Sequence, residues 1–200
     1  DGRLAWIGSG GGAIRRSTDG GESWSKGEID NERGNEIGRI AFAADGRRGI
    51  AAGYSGMFLT ADGGATWKPI AGPEQVQTLT FVDHRDGGST TRAFRHKVRD
   101  VSWADGRSAV VATGLRGEIW RSEDGGATWK KVPSGTSADL FRTVFSNNGR
   151  LGWITGYSIV QTSEGQRYPA TILRTDTGGR TWSEARINAD RVEMIESLWF

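Results

Sequence analysis

The sequence predicts an all-β fold that repeats a unit of four antiparallel strands, and three observations lead to this prediction. A motif of the form [ST]-x-[DT]-G-G-x-[ST]-W occurs four times, at residues 17–24, 60–67, 122–129 and 175–182. Gly accounts for 31 of the 200 residues, about double its ordinary share. No ten-residue window shows helical periodicity. Because glycine supplies the positive φ angles that hairpin turns require, short strands joined by tight turns fit this composition.

The spacing of the four motifs fits one four-stranded unit each, with loops of variable length. The Trp residues that end the motifs are separated by 43, 62 and 53 residues. Recurrence of one motif at intervals of this size is typical of repeat architectures in which each repeat is one supersecondary unit. We number the units I to IV and predict a single domain over residues 1–200.

The segments before and after each motif supply the strands of the unit. Residues 38–53, 99–114 and 142–156 share an apolar strand with Phe or Trp near its end, a turn, and a small-residue strand. A short strand (FLT, IWRS or ILRT) then runs into the motif, and the residues after the Trp (KPI, KKV or SEA) form the last strand. The unit is therefore predicted to contain four strands joined by hairpins.

The two ends of the chain are predicted to complete one unit together. Residues 1–10, DGRLAWIGSG, match the second strand of the unit, and residues 192–200, VEMIESLWF, match the first. Pairing of this C-terminal strand with the first unit would close a toroid without an open edge, which is a β-propeller. The chain equally fits a portion of a larger propeller of six to eight blades, so the blade number stays open.

Residues 68–99 depart from the repeat, and they contain the most distinctive loop. VQTLTFVD at 76–83 looks like another first strand, but the polar run that follows carries no motif. The segment is either a degenerate hairpin or a long insertion over one face. A basic run with an aromatic residue can bind carboxylate or phosphate, so we predict that an acidic partner binds five cations of the 84–100 loop: Arg85, Arg92, Arg95, Lys97 and Arg99.

The repeated motif resembles the Asp-box, also called the bacterial neuraminidase repeat. That motif occurs in β-propellers of the sialidases, the xyloglucanase-like glycoside hydrolases, the sortilin family and the photosystem II stability/assembly factor-like proteins. The resemblance covers nearly the whole chain and implies an architecture rather than an activity. The last of these families shares a short GW-I-x-G strand before the box, as in LGWITG at 151–156.

Within the motif we interpret Asp and Trp as structural residues. Asp can bond the backbone amides of its own turn, and Trp packs on a neighbouring strand or blade, where its indole N–H needs a partner. We therefore expect burial, in hydrogen bonds and packing, for Asp19, Trp24, Asp62, Trp67, Asp124, Trp129 and Trp182. The fourth copy has Thr177 in the Asp position, so its turn is expected to be looser or satisfied differently.

A catalytic function finds little support in the sequence. The Arg-Ile-Pro signature of sialidases is absent, and Tyr168, in the loop SEGQRYP, is interpreted as a solvated residue. A two-carboxylate glycosidase would have to draw on acids in or near turns, for which the sequence gives no pairing: Asp45, Asp100, Asp105, Glu118 and Asp139. The chain has no Cys and no metal-ligand spacing, so we predict no catalytic residue, no metal and no cofactor.

These observations favour a non-catalytic binding or assembly scaffold that uses its inter-blade loops to bind a protein partner. The alternative is a sialidase-like or xyloglucanase-like glycoside hydrolase or a carbohydrate-binding propeller, so any enzyme activity would be that of a glycosidase. The net charge of +2 argues against a nucleic acid partner, and no segment is apolar enough to span a membrane. We expect a periplasmic or extracellular location, although residues 1–10 do not resemble a signal peptide.

Overall fold

The structure of the protein is a computed structural model. It describes residues 2–29, 36–53, 56–73, 98–186, 192–193 and 195, and the backbone of residues 76–82 and 89–95. No helix that could cross a membrane occurs in this part of the chain. The strands are, in chain order, β1 Ala5–Gly8, β2 Ile14–Ser17, β3 Ser25–Lys26, β4 Glu28–Ile29, β5 Ile37–Phe42, β6 Gly49–Gly53, β7 Gly56–Thr60, β8 Thr66–Ile70, β9 Val76–Val82, β10 Ser89–Arg95, β11 Asp100–Trp103, β12 Val110–Thr113, β13 Ile119–Ser122, β14 Lys130–Val132, β15 Asp139–Phe145, β16 Gly152–Tyr157, β17 Val160–Thr162, β18 Gly165–Arg167, β19 Ala170–Thr175 and β20 Ser183–Glu184.

The prediction of four-stranded antiparallel blades is confirmed. Blades II, III and IV have the strand orders β5-β6-β7-β8, β11-β12-β13-β14 and β15-β16-β19-β20, and β4 adds a short parallel pairing to β8. Blade I shows β1-β2-β3, which correspond to the second, third and fourth strands of the unit. Of residues 192–200, which are predicted to supply its first strand, residues 194 and 196–200 lie outside the described residues, and Glu193 forms an isolated bridge with Pro169 of blade IV.

The first strands of blades II, III and IV are neighbours, because β11 packs against both β5 and β15. Strand β1, the second strand of blade I, also packs against β5. Blades I to IV therefore follow one another in chain order. Strands β9 and β10 pair with each other over seven residues and, within the described residues, with no other strand. The irregular segment is thus a hairpin inserted between two adjacent blades rather than a further blade.

The apolar core lies between the blades. One cluster joins Ile14 of blade I to Phe58 and Trp67 of blade II, and equivalent clusters lie between blades II and III and between blades III and IV. Indole N–H groups tie the blades together as well, because Trp103 of blade III donates to the Ala41 carbonyl oxygen of blade II at 3.1 Å. Aromatic anchors of this kind bury large areas and fix the angle between neighbouring sheets.

The box turns are held by a repeated hydrogen-bond network. In box II the Thr60 hydroxyl donates to Asp62 at 2.8 Å, and it accepts the Gly64 amide at 2.9 Å. The amide and hydroxyl of Thr66 both donate to Asp62. Burial alone would raise the pKa of Asp62, but the hydrogen bonds from Thr66 and Thr60 outweigh this effect and lower the pKa to about 2. Boxes I and III repeat these contacts with Asp19 and Asp124.

These carboxylates make the expected hydrogen bonds, but they are not buried from solvent. Asp19, Asp62 and Asp124 are exposed, whereas the hydroxyl residue that opens each box is buried, with 2% exposure for Thr60. Each carboxylate accepts hydrogen bonds from residues of its own turn and remains exposed to solvent. The buried polar group of the box is therefore the first Ser or Thr.

In the fourth box a hydroxyl group replaces the carboxylate as hydrogen-bond acceptor, which is one of the two outcomes expected for this turn. The Thr177 hydroxyl accepts the Thr181 amide at 3.0 Å and lies 2.9 Å from the Thr181 hydroxyl, so it takes the place of the carboxylate.

The Trp residues of the boxes meet the expectation of an indole hydrogen bond only in part. Trp24 and Trp67 donate to carbonyl oxygens of their own turns. The buried indole nitrogens of Trp129 and Trp182 have no hydrogen-bond partner, so packing holds these two rings.

Candidate functional site

The five cations predicted to bind an acidic partner fall into three groups. Arg85 and Lys97 lie outside the described residues. Arg92 and Arg95 belong to β10, where they pair with Leu79 and Val76 of β9. Arg99 directly precedes β11, and its amide donates to the Thr113 carbonyl oxygen at 2.7 Å. The structure therefore places the side chain of Arg99 and leaves the contribution of the other four as a prediction.

Arg99 lines a small cleft near the N-terminal ends of β5, β11 and β15. The cleft has a volume of about 110 Å³, and its walls are Glu36, Gly38, Arg39, Ala52, Gly53, Val98, Arg99 and Phe141. The Arg99 guanidinium lies over the Phe141 ring, 5.4 Å from the ring centroid. Its Nε atom is buried and has no hydrogen-bond partner. A guanidinium that is fixed by an aromatic ring and retains an open N–H donor can bind a carboxylate or phosphate.

The buried carboxylate of Asp100 contacts Arg39 of this cleft and links blades II, III and IV. Asp100 is 5% exposed, and it occupies the position in β11 that Arg39 and Arg142 occupy in β5 and β15. Its Oδ1 atom lies 3.2 Å from Arg39 Nε, and its Oδ2 atom accepts the Thr143 amide at 2.6 Å. Burial raises the pKa of Asp100 to about 6, although the Thr143 amide and the charges of Arg39 and Arg142 oppose the rise.

This raised pKa predicts a specific dependence of stability on pH. A group with a higher pKa in the folded protein stabilises it fully below its unfolded pKa, near 4, and this contribution is lost as the pH rises through about 6. We expect wild-type protein to gain up to about 3 kcal/mol of unfolding free energy relative to Asp100→Asn between pH 7 and pH 4. Urea titrations of both proteins across this range measure the difference. A wild type that loses stability relative to Asp100→Asn on acidification would contradict the assignment.

An aromatic row extends from the cleft across blade IV. Phe141 stacks on Tyr157 with centroids 4.7 Å apart, and Tyr157 meets Tyr168 edge-on at 5.7 Å. In the same blade, Ile159 and Val160 at the start of the β17–β18 hairpin expose their apolar side chains, with 59% and 43% exposure. Tyr168 lies between β18 and β19, as interpreted, but its ring is only partly exposed because it packs against Tyr157. Arg99 thus lies at one end of a row of three aromatic rings.

Sequence reasoning missed Phe141 and Tyr157. The one available signal was positional, because Phe141 occupies in blade IV the position of Arg99 in blade III. The contact of Phe141 with Arg99 depends on packing between blades III and IV, which residue spacing does not reveal.

The acidic residues that a glycosidase would need each have local partners. Asp45 and Asp105 accept amides of their own turns, Asp139 accepts the Arg116 amide, and Glu118 pairs with Lys131. The amide and side chain of Arg48 lower the pKa of Asp45 to about 2. Burial raises the pKa of Asp100, and its carboxylate is committed to Arg39 and Thr143. The structure therefore gives turn or interface contacts to these acids.

Side-by-side blades with box turns of this geometry define an Asp-box β-propeller protein. The BNR/Asp-box repeat family model matches residues 15–26. The chain is 32% identical over 107 residues to "Photosystem II stability/assembly factor HCF136, chloroplastic" of Cyanidioschyzon merolae, covering 50% of this chain and 22% of that protein. It is 30% identical over 155 residues to the xyloglucanase Xgh74A of Acetivibrio thermocellus, covering 70% of this chain and 18% of that protein.

A solved structure supports the fold. The GH74 enzyme of Niastella koreensis superposes with a TM-score of 0.63 at 14% identity, over 92% of this chain and 28% of that chain. The chain thus spans about a fifth of the length of the curated relatives it matches. These relatives include both an assembly factor and glycoside hydrolases, and the chain shares with them the Asp-box repeat and the propeller fold.

Proposed function

We propose that the protein is a non-catalytic β-propeller scaffold that binds an acidic segment of a protein partner at the Arg99 cleft. The observation that carries this proposal is the Arg99 guanidinium, which stacks on Phe141 while its buried Nε lacks an acceptor. A carboxylate that enters the cleft would satisfy this donor. Such charge-assisted hydrogen bonds are roughly twice as strong as neutral ones. The name of the relative from Cyanidioschyzon merolae, an assembly factor, is consistent with such a role.

The neighbouring side chains narrow the kind of segment that would fit. Arg39 Nε forms an ion pair with Asp100 at 3.2 Å but, like Arg99 Nε, has no hydrogen-bond partner, so both guanidinium groups of the cleft can donate to a ligand. The row from Phe141 to Tyr168 offers aromatic surface next to Arg99. The expected ligand therefore combines an Asp or Glu with apolar side chains close by, and the cations of the β9–β10 hairpin would add long-range attraction.

The alternative function is that of a glycoside hydrolase or a carbohydrate-binding propeller. The similarity to xyloglucanases favours it, and an aromatic row can also receive a sugar ring. Hydrolysis requires two carboxyl groups that face the scissile bond. In the described residues the candidate acids accept hydrogen bonds or pair with cations of the protein itself. We therefore prefer the binding scaffold, and its periplasmic or extracellular location stays a prediction.

Peptide binding tests the proposal. Fluorescence anisotropy would compare a labelled peptide of alternating Glu and Leu with matched peptides in which Gln or Lys replaces Glu. We expect the acidic peptide to bind most tightly and its Kd to rise with salt, because exposed charges are screened. Equal affinity for the three peptides would contradict an acidic partner. Release of product from xyloglucan oligosaccharides or aryl-glycosides would contradict the non-catalytic assignment.

A further inference from the structure

A second cleft lies between blades III and IV, at the opposite end of β11 from Arg99. Its volume is about 420 Å³, and box IV forms one wall with residues 176–178 and Arg180. Arg121 of β13 and Arg150 of the β15–β16 turn form the rest of its basic lining. Three guanidinium groups from two blades therefore meet around one space.

The peptide backbone of box IV anchors all three guanidinium groups. Each of three successive carbonyl oxygens accepts one N–H from a different arginine: Asp176 from Arg150 at 3.1 Å, Thr177 from Arg180 at 3.2 Å and Gly178 from Arg121 at 2.9 Å. An arginine has five N–H donors in a rigid fork, so these bonds orient each group and leave further donors. The cleft is thus a preorganised set of cations.

Glu123 shows where an anion is held in this cleft. Arg121 Nη1 forms an ion pair with Glu123 Oε1, and Arg180 Nη2 lies 3.2 Å from the same oxygen. The Arg121 side chain is 6% exposed, whereas the Glu123 side chain is 56% exposed. If Glu123 turned into solvent with nothing in its place, the buried charge of Arg121 would remain unpaired. Because Glu123 is largely exposed, an external anion that pairs with Arg121 can take its place.

Two departures of box IV from the repeat make this turn more basic. Thr177 replaces the Asp of the other boxes, and Arg180 occupies the position of Glu22, Ala65 and Ala127. With Asp176 and Arg180, box IV has a net charge of zero, whereas the other three boxes have net charges of −2, −1 and −2. Of the other acids at the cleft, Asp105 is occupied by three amides of its own turn, and Asp176 lies on the wall.

From these contacts we infer that the cleft between blades III and IV binds a phosphate or carboxylate group of a ligand, which displaces Glu123 from Arg121 and Arg180. This site shares no lining residue with the Arg99 cleft, and it does not depend on the function proposed above. Convergent arginines bind both kinds of oxyanion through paired N–H donors.

Isothermal titration calorimetry with inorganic phosphate and with citrate, at constant ionic strength, tests this site. Removal of the internal competitor in Glu123→Gln is expected to lower the Kd roughly tenfold, and Arg180→Gln is expected to raise it by a similar factor. The probe with the lower Kd identifies the preferred oxyanion. Glu118→Gln, which breaks the exposed pair with Lys131 outside the cleft, is the matched control and should bind as wild type.

Amide NMR shifts locate the binding and guard against a misfolded variant. Phosphate should shift residues 121–123, 148–150 and 176–180 in wild type and Glu123→Gln, and the same shifts should be lost in Arg180→Gln while the remaining spectrum is preserved. The inference would be overturned if Glu123→Gln and Arg180→Gln both bound with the wild-type Kd, or if the shifts mapped to other residues.

Discussion

Replacement of Trp67 by alanine is expected to lower the unfolding free energy by about 3–5 kcal/mol. Trp67 is 2% exposed and belongs to the core between blades I and II, with Ile14 and Phe58. Its ring also meets Phe42 edge-on at 5.8 Å, and its indole donates to Gly64. The substitution would leave a cavity that the two sheets cannot close without changing their angle. Such a loss is a large part of the about 5–15 kcal/mol that stabilises an ordinary domain.

Trp24→Ala is the matched control for this prediction. Trp24 occupies the same motif position and donates to Gly21 in the same way, but it is only partly buried. Its replacement should cost clearly less than that of Trp67, because less apolar area leaves water on folding. Urea denaturation followed by circular dichroism gives both values. If the two variants lost equal stability, burial between blades would not explain the role of the box tryptophan.

Arg99→Gln is expected to weaken binding of the Glu–Leu peptide roughly tenfold to a hundredfold. Glutamine keeps part of the length of the side chain but removes the charge and the fork of donors over Phe141. Arg99→Lys keeps the charge and loses the planar group, so its affinity should fall between the two. Because the side chain lines a cleft rather than the core, the free energy of unfolding should change little.

Arg107→Gln is the control for charge alone. Arg107 is exposed in the turn after β11, at the opposite end of the strand from Arg99, and its loss changes net charge by the same amount. Anisotropy titrations at one salt concentration compare the four proteins. An equal weakening in Arg99→Gln and Arg107→Gln would indicate general electrostatic attraction and would refute a site at Arg99.

The repeat made the fold predictable. Four copies of one motif set the register of the turns, and the strands between them follow from hairpin geometry, so blades II to IV have the expected order. The hydroxyl of Thr177 could be expected to replace a carboxylate, because both groups accept an amide. These properties depend on residues close in the chain, where sequence spacing determines geometry.

Contacts between blades were less accessible to sequence reasoning. The exposure of Asp62 depends on which side of the turn faces water, and the pairing of Asp100 with Arg39 joins residues of different blades. The contact between Arg99 and Phe141 likewise crosses from blade III to blade IV. Arg99 itself was identified from the basic run, but its aromatic partner was not, because the partner is more than forty residues away.

Mapping of the Glu–Leu peptide on the protein by amide NMR shifts tests the central proposal most directly. Binding at the Arg99 cleft predicts that the shifts concentrate at residues 36–39, 52–53, 98–99 and 141–142, with weaker effects near Tyr157 and Tyr168. The four box turns should remain unchanged, as expected of scaffold elements. Shifts confined to the box turns, or the absence of shifts at peptide concentrations that saturate the anisotropy signal, would contradict the proposal.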